Sequence, residues 1–342
     1  MLFEGKKILV TGGTGSIGKA LVDILLTYNP AIVRIFSRDE NKQFEMQEEW
    51  KAQKRLRFLL GDVRDKERLS YAMNDIDYVF HLAALKHVPA CENNPFEAVR
   101  TNIIGSQNVI EAALENKVQK VLFTSSDKAI SPTNTMGASK LIAEKLFVSA
   151  NSYKGNHKTV FSSVRFGNVI GSRGSVIPLF FKKIMKEKKI TVTDLKMKRF
   201  MMSQTEACSL MLDALRIANG GEIFVLKMPV VQLNDLVEAI ISIVEEKFNI
   251  LKDEIYIEEI GLRPGEKVVE ELLMNEEIPF VYEKDNMFII PSDYPKVEGA
   301  SKPVKSVHYR ADCFGCNQLA VKDIKNIILK EVNLLDFLRS DR

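Results

Sequence analysis

Apolar and polar positions in the first half of the chain fall into short alternating blocks. Lys7–Val10, Ile32–Phe36, Leu56–Leu59, Tyr78–His81, Lys120–Thr124 and Thr159–Arg165 are brief, mostly apolar runs flanked by Gly, Asp, Asn or Ser, and they read as strands. Between them, Ile17–Leu26 and Ser106–Asn116 carry apolar residues at helical spacing. Strands apolar along their whole length are buried on both faces. Alternating with helices, they predict an α/β fold built on a doubly wound parallel sheet. Beyond about residue 169 the elements become shorter and less regular, with Gly- and Pro-bearing stretches such as GSRGSVIP and IGLRPGEK. This change divides the chain into a first domain, 1–168, and a smaller C-terminal α/β domain, 169–342, with some later segments returning to the first. Segment 292–318 is polar and broken by Pro and Gly, and Val321–Leu338 reads as a final helix apolar enough to pack on the body.

The chain has 342 residues, 46% hydrophobic and 27% charged, which suits a soluble protein with a sizeable core. Its net charge of +3 gives no ground for nucleic-acid binding or general membrane attraction. No apolar run reaches membrane-spanning length, and MLFEGKKILVTGG enters a strand without the layout of a signal peptide. Cys91 and Cys208 stand alone; Cys313 and Cys316 form a C-x-x-C with His308 as the sole nearby ligand type. A zinc site needs four ligands, so no metal is expected, and the sparse cysteines fit a reducing, cytoplasmic compartment.

The run Thr11-Gly12-Gly13-Thr14-Gly15-Ser16-Ile17-Gly18 follows a strand and opens a helix. Gly13, Gly15 and Gly18 satisfy G-x-G-x-x-G, whose glycines permit a tight turn, close approach to a pyrophosphate and close helix packing. A Rossmann-type dinucleotide site is expected. Sites for NAD place an acid at the end of the second strand; here Ser37 stands there, followed by Arg38 and Lys42. A hydroxyl with two cations suits a ribose 2′-phosphate, so NADP is the expected cofactor, with Asp39 and Glu40 keeping NAD open.

A second constellation is Thr-Ser-Ser-Asp-Lys at 124–128 followed by Met136-Gly137-Ala138-Ser139-Lys140. It resembles the catalytic strand and helix of a short-chain dehydrogenase/reductase, with Met136 where that family carries its acid/base Tyr. A thioether exchanges no proton. Asp127 and Lys128 are therefore the candidate substitutes, beside Ser126 and Lys140. The motifs TGGTGSIG, GDVRD, HLAALKHVP, TNIIGSQNV, TSSDKA, RFGNVIGSRGSVIP and GLRPGEK together resemble the UDP-N-acetylglucosamine 4,6-dehydratases over about residues 5–275. Within that family the chain is similar to the short soluble branch, and Met136 resembles configuration-retaining members.

The resemblance implies several roles. Asp62 and Val63 would meet the adenine, Ala83 and Ala84 would let the backbone pass the cofactor, and Lys140 would hold the nicotinamide ribose. Asn168, Arg173, Gly174, Ser175 and Val176 would shape a UDP pocket. Arg199 and Arg263 would meet the diphosphate, Glu266 a hydroxyl, and Lys86, His87 and Met136 the sugar. The implied reaction is UDP-GlcNAc to a UDP-4-keto-6-deoxy sugar, with Lys128 as base at C5, Asp127 as a protonated acid at the 6-hydroxyl and Ser126 on O4. Asp127, Lys128 or a water near Lys140 would deprotonate the 4-hydroxyl. The alternatives are an inverting dehydratase that epimerises C5, a 5,6-dehydratase, and a non-catalytic NADP-binding regulator. The resemblance implies a homodimer or higher homo-oligomer through helices 100–116 and 137–152; Ile104, Val109, Leu141 and Phe147 would either make that contact or face the protein's own sheet.

Overall fold

The computed structural model describes residues 2–263, 265–292, 310–312 and 317–334. His308, Cys313 and Cys316 lie outside the described residues. The chain divides into two compact units.

The first unit runs to Phe166 and includes 207–227 and the segment that opens at Leu273. Six strands form in its first part: β1 (Lys7–Thr11), β2 (Ile32–Ser37), β3 (Leu56–Leu60), β4 (Tyr78–His81), β5 (Lys120–Thr124) and β6 (Val160–Arg165). They pair in parallel in the order β3-β2-β1-β4-β5-β6. The order reverses beside β1, and in open α/β sheets ligands bind outside the strand ends at such a switch point. Beyond β6 the sheet gains Ile223–Leu226 in parallel, then Met287–Ile290 and Tyr282–Lys284 antiparallel, nine strands among the described residues. The mixed edge extends the purely parallel sheet that strand–helix alternation predicts.

All four residues of β4 and the last four of β1 are buried, as strands covered on both faces must be. Phe123 and Phe147 stack at 4.8 Å between centroids and 3° between planes. Val109 and Phe147 belong to this core, together with Leu9, Val79 and Val121. Of the two placements the sequence leaves open for them, they take the inner one: both are fully buried against their own sheet. Ile104 on the same helical segment is exposed.

The expected helix 100–116 is more particular than its periodicity suggests. Pro95–Ala98 is α-helical, Val99–Ile104 is a π-turn, and Gly105–Glu115 is α-helical again, with right-handed helical backbone at both joins. Such π-bulges slip one extra residue into a turn and recur at functional sites.

The second unit comprises 167–206, 228–272 and the described residues from Arg310. Val230–Gln232, Lys198–Met202 and Asn168–Val169 form one small sheet; Lys189–Val192 and Tyr256–Glu259 pair in parallel as another. Its core gathers Phe180, Phe181 and Ile184 from helix Val176–Glu187, Leu236, Ile240 and Val244 from helix Leu233–Phe248, and Ile324 and Ile328 from helix Val321–Glu331. Among the described residues no helix is long and apolar enough to cross a membrane, and no cluster of His, Cys, Asp or Glu is arranged to hold a metal.

Candidate active site

The glycine-rich loop leaves β1 and feeds helix Ser16–Thr27. Gly12 has φ of +70°, and a Cβ there would lie 2.8 Å from the Ala83 nitrogen. A Cβ on Gly13 would sit 2.9 Å from Ile35 Cγ2, and one on Gly18 2.6 Å from the Gly12 carbonyl oxygen. These three positions are closed by backbone or core. Gly15 differs: a Cβ would meet one atom, the Gly12 oxygen at 3.2 Å, and otherwise open space. Gly15 caps the helix without a side-chain hydrogen bond, and the first turn, which holds Ser16 and Ile17, carries no acid. The positive end of the helix dipole is thus presented at a position with no Cβ, beside buried Thr14. These residues fit the pyrophosphate of a dinucleotide.

At the end of β2, the buried Gln43 amide donates to the Ser37 carbonyl and hydroxyl and to the Leu59 carbonyl, at 3.0–3.1 Å. Arg38 is 55% exposed on its side chain, with its guanidinium 3.8 Å from Asp62. Lys42 is paired with Asp39, which also caps the following helix through the Lys42 N–H. Asp62 accepts from Arg64 at 2.6–3.0 Å. Burial raises the proton affinity of Asp62, but the Arg64 hydrogen bonds and charge outweigh it and hold the carboxyl below its ordinary range. Val63 is buried, and its carbonyl accepts from Asn108 at 3.0 Å.

Beyond β5 the chain makes a single 3₁₀ turn, Asp127–Ala129, capped by Ser126. The Ser126 hydroxyl accepts from the Lys128 N–H at 3.2 Å and donates to Asp127 Oδ1 at 2.8 Å. Lys128 Nζ lies 3.1 and 3.2 Å from the two Asp127 oxygens. Asp127 is 2% exposed. Three donor contacts converging on one carboxyl group describe an ionised acceptor. In this arrangement Asp127 is paired with Lys128 as a charged couple, and the protonated acid that the resemblance implies is the same couple after one proton shift.

Lys140 is buried on helix Thr135–Tyr153, donates to the Thr124 carbonyl at 2.8 Å and lies 4.7 Å from the Phe123 ring centroid. Burial pushes its pKa down to about 8, with the Glu144 charge opposing. The start of this helix is pressed onto the Asp127–Lys128 turn. A Cβ on Gly137 would fall 2.2 Å from the Lys128 carbonyl oxygen, so glycine alone permits the approach.

Met136 is 3% exposed and clusters with Cys91, Ala98, Leu85 and Val88. Its side chain packs in the protein's own interior, whereas the resemblance places it on the sugar. Lys86 and His87 are exposed on the loop that precedes helix Val88–Asn93; burial and the Lys86 charge lower the imidazole pKa of His87. Ala83 donates its N–H to Thr11 Oγ1 at 3.3 Å, and Ala84 lies beside it, part-buried.

In the second unit, Arg173 and Gly174 are exposed just before helix Val176–Glu187, and Gly174 has φ of +70°. Ser175 is the N-cap residue, and its Oγ is buried with no hydrogen-bond partner among the described residues. Val176 is the first helical residue. Asn168 donates to the Phe200 carbonyl at 3.3 Å and to Glu270 at 3.2 Å. Arg199 donates to the carbonyls of Lys198, Lys267 and Val268, and lies 3.5 and 3.4 Å from Glu266 and Glu270. Its guanidinium ties down segment 266–270, a set of partners that the expected placement on a diphosphate does not include. Glu266 accepts from the Arg263 N–H and the Thr193 hydroxyl. Arg263 itself is exposed.

Sequence patterns do not single out Glu270, Asn102 or Arg165. Asn102, on the π-turn, exchanges hydrogen bonds with both backbone groups of Leu85 and donates to Ser139 at 2.9 Å. Arg165 is fully buried and makes paired contacts with Glu144 (2.6 and 3.1 Å) and Glu277 (2.9 and 3.0 Å). Burial works against its charge, and the two carboxylates more than restore it. Glu277 is 112 positions away in sequence, so no local pattern could reveal it.

Residues 8–292 match the profile of a family described as polysaccharide biosynthesis protein. The chain belongs to that family. The chain is 43% identical over 327 residues to a UDP-N-acetylglucosamine 4,6-dehydratase (inverting) of Campylobacter jejuni, covering 95% of this chain and 91% of that one. It is also 40% identical over 352 residues to a UDP-glucose 4-epimerase of Rickettsia bellii, covering 99% of each. Among solved structures, Pen from Bacillus thuringiensis superposes with a TM-score of 0.91 at 51% identity, over 97% of this chain and all of that one. The family match spans the glycine-rich loop, the Asp127–Lys128 turn and the segment around Glu266 and Glu270.

Proposed function

We propose that this member of the polysaccharide biosynthesis protein family is an NADP-dependent UDP-N-acetylglucosamine 4,6-dehydratase that retains configuration at C5. The observation that carries the reading is the Asp127–Lys128 pair, a proton donor and acceptor in contact beyond β5 in a chain whose Met136 supplies no hydroxyl. Relatives at 43 and 46% identity, both named UDP-N-acetylglucosamine 4,6-dehydratase (inverting), support the dehydratase reaction, whereas retention rests on Met136 alone.

Bound NADP would supply the acceptor for the C4 hydride and return that hydride at C6, which requires no net redox change. Thr11 to Gly18 would hold its pyrophosphate, Arg38 its 2′-phosphate and Lys140 its ribose. Ser126 would hydrogen-bond O4 of the sugar. Lys128 as the amine with Asp127 as the acid carries the same number of protons as the ion pair, so one proton shift along a 3.1 Å contact interconverts them. In the neutral form Lys128 takes the C5 proton and Asp127 protonates the departing 6-hydroxyl. Lys128 then returns its proton to C5. The proton lost by the 4-hydroxyl, taken by Asp127, Lys128 or a water near Lys140, replaces the one spent on water, and the pair ends as it began. One pair taking and returning the C5 proton acts from one face of the ring, which gives retention.

A second reading, 4-epimerisation, is favoured by the relatives named UDP-glucose 4-epimerase. Epimerisation exchanges hydride and proton at C4 alone and leaves no task for a second proton donor at C6. Incubation with UDP-GlcNAc and NADP, followed by mass spectrometry, tests the proposal. A product lighter by one water is expected; a product of unchanged mass supports the epimerase, and no product supports a non-catalytic role.

A further inference from the structure

Behind the glycine-rich loop lies a buried chain of hydrogen bonds centred on His81, at the end of β4. Thr11 Oγ1 lies 2.7 Å from His81 Nδ1, and Ser106 Oγ lies 3.2 Å from His81 Nε2. The partners fix the tautomer. The Ser106 hydroxyl spends its one proton on the Asn102 carbonyl at 2.7 Å, so toward His81 it can only accept. Nε2 therefore carries the hydrogen, and Nδ1 accepts from the Thr11 hydroxyl. Thr11 in turn accepts from the Ala83 N–H at 3.3 Å. At the far end, the Asn102 amide holds both backbone groups of Leu85 and the hydroxyl of Ser139, which donates to the Met136 carbonyl at 2.7 Å.

The chain thus runs from the cofactor loop, through one imidazole and the π-turn, to loop 83–87 and the first turn of the helix that carries Lys140. His81, Thr11, Asn102 and Ser106 are each at most 5% exposed, so water cannot replace a lost partner without opening the core. Burial, helped by the Lys140 charge, pushes the pKa of His81 down to about 3, which keeps the ring neutral.

We propose that His81 is a positioning residue that sets the glycine-rich loop against the catalytic helix, and that its neutral Nε2–H tautomer is what makes it fit. This inference rests on the dinucleotide reading only for its consequence, not for the tautomer. Imidazole nitrogen–proton correlation spectra of the unmutated protein without added nucleotide should show His81 protonated at Nε2 and bare at Nδ1. An Nδ1–H tautomer or an imidazolium at neutral pH overturns the proposal.

Two variants divide the arms. His81→Asn places an amide oxygen near Nδ1 and keeps the Thr11 acceptor; His81→Gln places an amide nitrogen near Nε2 and keeps the Ser106 donor. Calorimetric NADP affinity should fall about tenfold in His81→Gln, the scale of one lost buried hydrogen bond, and by less than about threefold in His81→Asn. Equal losses, or none, contradict the proposal. An unmutated protein that binds neither NADP nor NAD refutes the functional reading instead, and the spectrum still decides the tautomer.

Discussion

Asp127 and Lys128 are neighbours in sequence whose side chains fold back on each other, with Lys128 Nζ 3.1 and 3.2 Å from the two carboxylate oxygens. Adjacent residues on a strand or helix point apart. The 3₁₀ turn capped by Ser126 brings this pair to one side. If the pair carries the proton chemistry, Asp127→Asn and Lys128→Met should each lower turnover by about 10²–10⁴-fold, the usual loss on removing a general acid or base. NADP affinity should change little in either. Steady-state rates beside calorimetry check this, and normal turnover in both variants would refute the assignment.

Met136 makes a contrasting prediction. Packed against Cys91, Ala98, Leu85 and Val88, it should matter for stability more than for chemistry. Met136→Ala should cost about 2–5 kcal/mol in denaturant unfolding, as for a buried methionine, with KM for the sugar nearly unchanged. Met136→Tyr should not speed the reaction, because a larger, polar side chain at this buried position is overpacked, which destabilises. A rate gain in that variant would show that the position faces the substrate.

The charge of Lys140 gives a pH dependence whose sign is fixed. Its pKa is about 8 in the folded protein, against an ordinary lysine value of 10.5. Between those values the unfolded chain binds more protons, so this group makes stability rise with pH across that window. Lys140→Met removes the effect. Its advantage over the unmutated protein, on the order of 3 kcal/mol at about 1.4 kcal/mol per tenfold change in proton affinity, should be largest below pH 8 and shrink toward pH 10.5. A gap in urea unfolding that does not vary with pH would contradict the burial argument.

Much of the first unit is legible in the sequence because buried parallel strands write themselves as apolar runs, and because G-x-G-x-x-G after β1 has one economical structural explanation. What is not legible depends on distance or on local detail. The π-turn at Val99–Ile104 has no periodic signature. Val109 and Phe147 lie on helices whose two apolar faces look alike in sequence, and only packing shows that both face the sheet. Arg199 reads as a free cation because Glu266 and Glu270 lie some seventy positions away. Gly137 has no reason visible in its motif; the Lys128 carbonyl beneath it supplies one.

The proposed preference for NADP makes a prediction at Arg38. Lys42 is held by Asp39, so Arg38, exposed and 3.8 Å from Asp62, is the cation left for a 2′-phosphate. Arg38→Ala should cost about 1.5–3 kcal/mol of NADP binding, the worth of a charged hydrogen bond, and leave NAD binding nearly unchanged. Equal calorimetric affinities for NADP and NAD in the unmutated protein would sink the preference.

Ile104 and Ile142 are exposed on the helices at 99–115 and 135–153, and on them we propose that the protein self-associates. The protein should be at least a dimer at micromolar concentration by light scattering, and Ile104→Glu with Ile142→Glu should shift it toward monomer. A monomeric mass for the unmutated protein would end that proposal.

The most direct test of the whole account is a proton NMR time course of UDP-GlcNAc with the protein and NADP in deuterium oxide. C4 oxidation, elimination and hydride return predict a new C6 methyl signal, with solvent deuterium at C5 of the product and the ring configuration kept. A product with its 6-hydroxymethyl group intact and C4 inverted would contradict the account and establish an epimerase.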